Sequence, residues 1–366
     1  MDEMSWMLTS RSGGLSSGSI EVVETAVKKI GFLSFGHWSD APGSQVRSGS
    51  DSLLQSIELA VAAEEIGADG AYFRVHHYAQ QLGSPFPLLA AAGAKTSRIE
   101  LGTAVIDMRY ENPLYMAEDA GAADLIAGGR LQLGISRGSP EQVIDGWRYF
   151  GYQPAEGKTD ADMARDHAAV FLEVIKGEGF AQPNPRPMFR NPPGLLRVEP
   201  YSAGLRDRIW WGASSQATAK WAAQMGMNLQ SSTLVDNESD DPFHVQQARQ
   251  IQAYRDAWKE AGHEREPRVS VSRSIFALVD KRDWMYFGTR GADEDHVGFI
   301  DAQTQAIFGR TYAAEPDKLI EQLRDDEAIA AADTLLLTVP NQLGVEYNAH
   351  AIESILTHVA PALGWR

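Results

Sequence analysis

The sequence predicts a (β/α)8 TIM barrel with insertions on its C-terminal face, and three observations carry that prediction. The stretches AYFRVHHY (71–78), IELGTAVIDMRYENP (99–113) and RLQLGISRGSP (130–140) each run apolar and then break into polar groups. Each follows a helix-like segment at similar spacing. Strands that repeatedly end in polar residues before a helix begins build a barrel with its reactive groups gathered on one face.

The elements follow in order. IGFLSFG (30–36) is short and apolar, a buried strand. Asp51 stands at an N-cap position before LLQSIELAVAAEEIGA, where Leu53, Ile57, Val61 and Ile66 make a helical stripe that Gly67 ends. After the strand at 71–75, Ser84, Pro85 and Pro87 open a second helix, and IELGTAVI forms the third strand. Pro113 starts LYMAEDAGAADLIA, which stops at Gly128 and Gly129, and LQLGIS is the fourth strand.

The second half is looser. A helix at 159–177, capped by Thr159, leads into a proline-rich stretch with prolines at 183, 185, 187, 192, 193 and 200. These forbid a central strand or helix and predict a surface excursion with a short hairpin near 195–199. IWWGAS (209–214), MNLQSS (227–232), VSVSRSIFAL (269–278) and ADTLLLTV (332–339) complete eight strands. Helices are expected at SQATAKWAAQMG, 243–261 and 346–359. Residues 281–310 fit neither template, and their glycine-rich, charged GTRGADEDHVG predicts a mobile lid. The domain expectation is a flexible Ser/Gly-rich leader at 1–27 and a single barrel domain over 28–366.

Composition narrows the function. The 366 residues are 43% hydrophobic with no apolar run near the ~18 residues of a membrane span. A net charge of −16, spread along the chain, opposes nucleic acid and anionic membranes. No cysteine means no disulfide, thiolate nucleophile or cysteine-ligated metal, and suits the cytoplasm. No HExxH or comparable ligand set appears, so no metal is expected.

Several residues are placed for chemistry. His76 and His77 end the second strand, and adjacent residues face opposite ways, so at most one enters the barrel mouth. Arg137, in GISRGSP beside Ser136 and Gly138, offers a guanidinium fork and open amides to a phosphate, or is an ordinary turn residue. GASSQAT (212–218) leads straight into a helix, so Ser214, Ser215 and Thr218 either cap it or hold an anion with its N-terminal amides. After the third strand stand Asp107 and Arg109, a salt-bridged loop or part of the active site. Small Ala104 and Val105 would let a flat ligand lie against the backbone. Neither a Walker loop nor GxGxxG follows a strand.

Taken in order, VHHY, GTAVIDMRYENPLYMAED, GGRLQLGISRG and WGASSQATAKWAA resemble the bacterial luciferase-like flavin monooxygenase family. The resemblance is strong over 29–180, moderate at 209–232 and weak beyond. It implies reduced FMN at the C-terminal mouth, supplied by a separate flavin reductase. It also implies O2 activation through a flavin C4a-peroxide and oxygen transfer to a small organic substrate. His76 would be the active-site histidine and Ala104–Val105 a non-prolyl cis peptide behind the ring. Arg137 would bind phosphate with Ser136 near the ring, and Ser214, Ser215, Gln216 and Thr218 would form the phosphate loop. Ser136 stands where the best-known members have cysteine, which argues against light emission. A deazaflavin-dependent oxidoreductase and a non-catalytic flavin-binding protein are the alternatives. The resemblance also favours a homodimer through the Ala/Gly-rich helices at 85–96 and 113–127, with Ala92 and Ala122 in the interface.

Overall fold

The structure, a computed structural model, describes residues 27–139, 142–290, 293–299 and 304–366. Eight parallel strands close into a ring. The first half alternates strictly: β1 (Lys29–Ser34), α1 (Gly49–Glu65), β2 (Gly70–Phe73), α2 (Pro85–Lys95), β3 (Glu100–Asp107) and α3 (Pro113–Ile126). It continues with β4 (Leu131–Ser136), α4 (Asp160–Val174), β5 (Ile209–Ala213), α5 (Gln216–Gln224) and β6 (Asn228–Ser231). Then come β7 (Leu234–Asp236), α6 (Phe243–Ala261), β8 (Val269–Ala277), α7 (Lys281–Phe287), β9 (His296–Phe299) and β10 (Gln305–Phe308). The chain ends with β11 (Thr311–Ala314), α8 (Pro316–Arg324), α9 (Glu327–Ala331), β12 (Thr334–Val339) and α10 (Gly344–His358).

The ring runs β1-β2-β3-β4-β5-β6-β8-β12 and returns to β1. Beyond Arg273, β8 leaves the ring and pairs with β11 instead. Above that seam, β7, β10 and β9 form a separate antiparallel sheet. Asp295 ties this sheet down, accepting from Phe243 N–H at 2.8 Å and from Arg310 N–H at 2.9 Å.

Two layers of side chains hold the ring. Outside, an apolar shell packs strand residues such as Ile30, Leu101, Ile135 and Leu229 under helix residues such as Leu59, Leu89, Phe171 and Ile251. Each buried Leu or Ile contributes about 1.5–3 kcal/mol. Inside, bulky Tyr72 and Trp210 plug the barrel, and Trp210 donates to Gln132 Oε1 at 2.8 Å. Gly102 makes room for that plug, because a Cβ there would lie 2.4 Å from the Tyr72 ring. The plug is the floor of the site above it.

Some local expectations differ in the structure, and others lie partly outside the described residues. The first helix starts at Gly49 and is capped by Ser48, whose side chain accepts from Asp51 N–H. Its buried face is Ser52, Ser56, Leu59, Ala60 and Ala63, while Leu53 is 42% exposed. Small residues dominate the buried face, while Ile57 and Ile66 of the expected stripe pack against the core from its edge. The hairpin near 195–199 is a single bridge between Ala181 and Leu196. Residues 281–310 are partly regular, holding α7 and the β9–β10 hairpin, with 291–292 and 300–303 outside the described residues. The leader expected at 1–27 lies outside them too, except Val27.

Finally, Ala92 of α2 is fully buried within the chain, in the shell between helices and strands. Gly93 packs on Ala127 of the neighbouring segment and Gly121 on the Pro200 carbonyl. Much of the small-residue character of α2 and α3 thus serves packing within one chain.

Candidate functional site

A cavity of about 630 Å³ opens at the C-terminal ends of the ring strands. That volume lies in the range that holds a cofactor-sized ligand. Its wall takes His76 from the end of β2, Ala104, Val105 and Asp107 from β3, and Ser136 and Arg137 from the end of β4. Ser214, Ser215 and Thr218 come from the β5–α5 junction. The sequence thus places most of its candidates in one space.

The two histidines separate. His76 lines the cavity and its N–H donates to Leu82 O at 2.9 Å. His77 is buried in an aromatic cluster, stacked 4.2 Å from Tyr110 and edge-on to Phe150. The opposed faces of an extended segment account for the split.

At β3 the ladder to β4 shifts register between Thr103 and Ile106, and the Ala104–Val105 peptide is cis. After β4, Ser136 Oγ accepts from Gly138 N–H at 2.7 Å, closing a tight turn. Gly138 has φ +82°, and a Cβ there would strike the Asp107 carboxylate at 2.0 Å. Arg137 is exposed at the cavity wall and has no ion pair among the described residues.

Arg109 and Gln216 stand outside the wall. Arg109 grips Asp107 through Nε at 3.0 Å and Nη2 at 2.6 Å, donates from Nη1 to Asp160 at 2.9 Å, and reaches Ser139 O at 2.9 Å. Burial works against its charge, yet the two carboxylates hold its pKa well above the ordinary value. It clamps the ends of β3 and β4 to the start of α4, which fixes Asp107 at the cavity edge. Gln216 turns away and donates to Glu238 at 2.6 Å.

Ser215 caps α5, its Oγ accepting from Thr218 N–H at 3.2 Å. The cap and the cavity wall are therefore the same residues, and the positive end of α5 meets the cavity. Arg165 of α4 also lines the cavity, with its guanidinium 5.7 Å from the Trp221 ring of α5. Sequence reasoning missed it because it stands mid-helix, with no motif around it. The order of elements was the available signal, since α4 runs beside the β4 and β5 loops.

Of the buried acceptor oxygens without a partner among the described residues, two belong to this cavity: Gln230 Oε1 and Asp236 Oδ1. Both residues line the cavity. Orphaned acceptors of this kind are costly unless a ligand donates to them. Together with two arginines and a helix N-terminus on one side, they fit a phosphate-bearing ligand that also carries N–H or O–H donors. FMN has that chemistry.

The fold and the cavity first define a class: a β/α barrel with arginines and a helix N-terminus at the ends of β4 and β5 and a histidine just past β2. The chain belongs to the luciferase-like monooxygenase family, whose sequence profile matches residues 29–284. The alkanal monooxygenase alpha chain of Photorhabdus luminescens is 26% identical over 225 residues, covering 59% of this chain and 56% of that protein. The chain spans about half the length of the curated relatives it matches.

Among solved structures, one similar in fold is the oxygenating constituent of 3,6-diketocamphane monooxygenase from Pseudomonas putida, in complex with FMN. It has a TM-score of 0.65 and 20% identity, over 92% of this chain and 99% of that one. An F420-dependent secondary alcohol dehydrogenase follows at a TM-score of 0.61 and 15% identity, over 92% and 99%. No helix among the described residues is long and apolar enough to cross a membrane.

Proposed function

We propose that the protein is a flavin-dependent monooxygenase that uses reduced FMN and O2 to oxygenate a small organic substrate. A separate flavin reductase would supply the reduced FMN, and the protein would work as a homodimer in the cytoplasm. The observation that carries the reading is one cavity lined by Arg137, Arg165, the α5 N-terminus and His76. When bound, reduced FMN supplies the electrons that activate O2.

The protein's own residues bind, orient and shield. Arg137, Arg165 and the α5 N-terminus with Ser214, Ser215 and Thr218 hold the phosphate. The Ala104–Val105 backbone supports the flat ring. Gln230 and Asp236 accept from its N–H or from ribityl hydroxyls. His76 holds or releases a proton at a ring nitrogen facing the substrate. Phe35, Leu234, Phe308 and Leu336 line the cavity and keep water from the reacting atoms.

The likeness in fold to an F420-dependent dehydrogenase supports a second reading, a deazaflavin-dependent oxidoreductase using the same residues. For the dimer, Leu114, Tyr115, Leu125 and Ile126 of α3 are 41%, 70%, 53% and 54% exposed. They share a face with Ala122 at helical spacing, an apolar stripe suited to a second copy.

Equilibrium dialysis against FMN, riboflavin and a deazaflavin tests the cofactor. FMN should bind tighter than riboflavin, and Arg137→Ala should weaken FMN alone, by about 1.5–3 kcal/mol. Equal affinity for FMN and riboflavin would sink the phosphate site. His76→Ala should cut oxygenation far more than FMN affinity, whereas an equal loss of both makes His76 structural.

A further inference from the structure

We infer that Arg109 is a positioning residue: without lining the cavity itself, it aims Arg137 and Arg165 and so sets the preference for a phosphorylated cofactor. This rests on the flavin reading above and deepens it.

The two cavity arginines come from different elements. Arg137 stands in the turn 136–139 after β4, and Arg165 lies on α4, one turn beyond Ala161, which also lines the cavity. A phosphate shared by two guanidinium groups needs their separation fixed, because hydrogen bonds weaken steeply with poor distance and angle.

Arg109 joins both segments. Its Nη2 donates to Ser139 O at 2.9 Å, at the end of the turn, and its Nη1 donates to Asp160 at 2.9 Å, in the first turn of α4. One residue earlier, Met108 N–H donates to Ser136 O at 2.9 Å. The segment just past β3 thus fastens the turn at both ends, at Ser136 through its backbone and at Ser139 through Arg109. Arg74 also reaches Ser139, at the hydroxyl and over a longer 3.4 Å.

The same side chain settles a charge problem. Asp107 and Asp236 both line the cavity, and a bare carboxylate there repels a phosphate. Asp107 is the one against the turn, since a Cβ on Gly138 would lie 2.0 Å from its carboxylate. Arg109 grips that carboxylate through Nε at 3.0 Å and Nη2 at 2.6 Å, offsetting its charge where Arg137 stands. Asp236 belongs to β7 and takes no part in the strut. Arg109 is only 9% exposed, so little water competes for its donors. The planar fork of a guanidinium reaches all these acceptors at once, which the compact lysine ammonium does not reproduce.

The test measures affinities for FMN and riboflavin by equilibrium dialysis in the wild type, Arg109→Lys, Arg137→Ala and the double variant. Lysine keeps a positive charge beside Asp107 and loses the fork. In Arg109→Lys, FMN affinity should fall ~10-fold or more while riboflavin affinity stays within about twofold. Beside Arg137→Ala the same change should cost FMN only ~3-fold or less, because part of its effect has gone with Arg137. Asp160→Ala, which cuts only the tie to α4, should lower the FMN preference less and have no effect beside Arg165→Ala. Thermal melts check that each variant folds. The inference is overturned if Arg109→Lys keeps the wild-type FMN preference, weakens both ligands equally, or costs as much beside Arg137→Ala as alone. Should Arg109→Lys not fold, Asp160→Ala decides, and an unchanged FMN preference there overturns the inference. Failure of the cofactor reading looks different: the wild type binds FMN no tighter than riboflavin. Inorganic phosphate titrated into the apo protein then takes the place of FMN, and phosphate binding that is absent, or unmoved by Arg109→Lys, overturns the inference.

Discussion

Glu111 sits just beyond β3, near Asp107 and Asp119. Burial first, then the two neighbouring charges, raise its carboxyl pKa from 4.5 to about 7. Below pH 4.5 the folded and unfolded chains both hold the proton. Between pH 4.5 and 7 the unfolded chain releases it first, so the fold loses stability as pH rises through that window. Denaturant melts of Glu111→Gln should show a gain of about 1–3 kcal/mol over the parent above pH 7, shrinking to near zero by pH 4. A gap independent of pH would refute the account. At this scale the sequence was most readable where a motif ended a strand. His76, Ser136, Arg137 and Ser215 could be placed because strand ends and helix caps are local. Arg74, Arg165 and Gln230 could not, because only ring closure brings them to one cavity. Arg109 could be paired with Asp107 from the sequence, but its second carboxylate, Asp160, stands 51 residues along the chain and could not be.

Among the elements, the β7–β10–β9 sheet is held to the barrel at a definite point. Asp295 accepts backbone N–H bonds from Phe243 and Arg310, pinning α6 and the chain beyond β10 to one carboxylate. We propose that this sheet, with the rest of 281–310, opens as a lid. Asp295→Ala should then speed limited proteolysis within 281–310 several-fold while the main thermal transition moves little. FMN should slow that cleavage. Cleavage appearing first elsewhere would defeat the proposal. These strands escaped sequence reading because each has four residues or fewer and its partners are distant. The first helix shows the opposite failure. Of its large apolar residues Ile57 and Ile66 do pack against the core, but Ser52, Ser56, Ala60 and Ala63 are the more deeply buried.

For the whole molecule, the dimer proposal moves from small residues to large ones. Ala92→Glu would place a charge inside the barrel shell and should unfold the chain rather than separate subunits. Leu125→Glu with Ile126→Glu, on the exposed side of α3, should give a folded monomer by sedimentation. A wild type already monomeric at micromolar concentration would end the proposal. The barrel itself was readable from the sequence because its period repeats along the chain. The assembly was not, since the same alanines serve packing within a chain or between chains.

The ring has one more consequence, for synthesis. Its last seam joins β1 to β12, residues 29–34 to 334–339. Those partners lie roughly 300 residues apart, so their pairing carries a large loop-closure entropy and high contact order. On the ribosome β1 emerges roughly 300 residues ahead of β12, and its outer edge has no strand to pair with until then. For that interval it is an open, apolar edge, the kind of surface that recruits other chains. The polar, lysine-bearing start of β1, with Lys28 and Lys29 at its tip, is a modest guard against that. Expression yield should therefore depend on how fast the chain is completed more steeply than on the stability of the finished barrel.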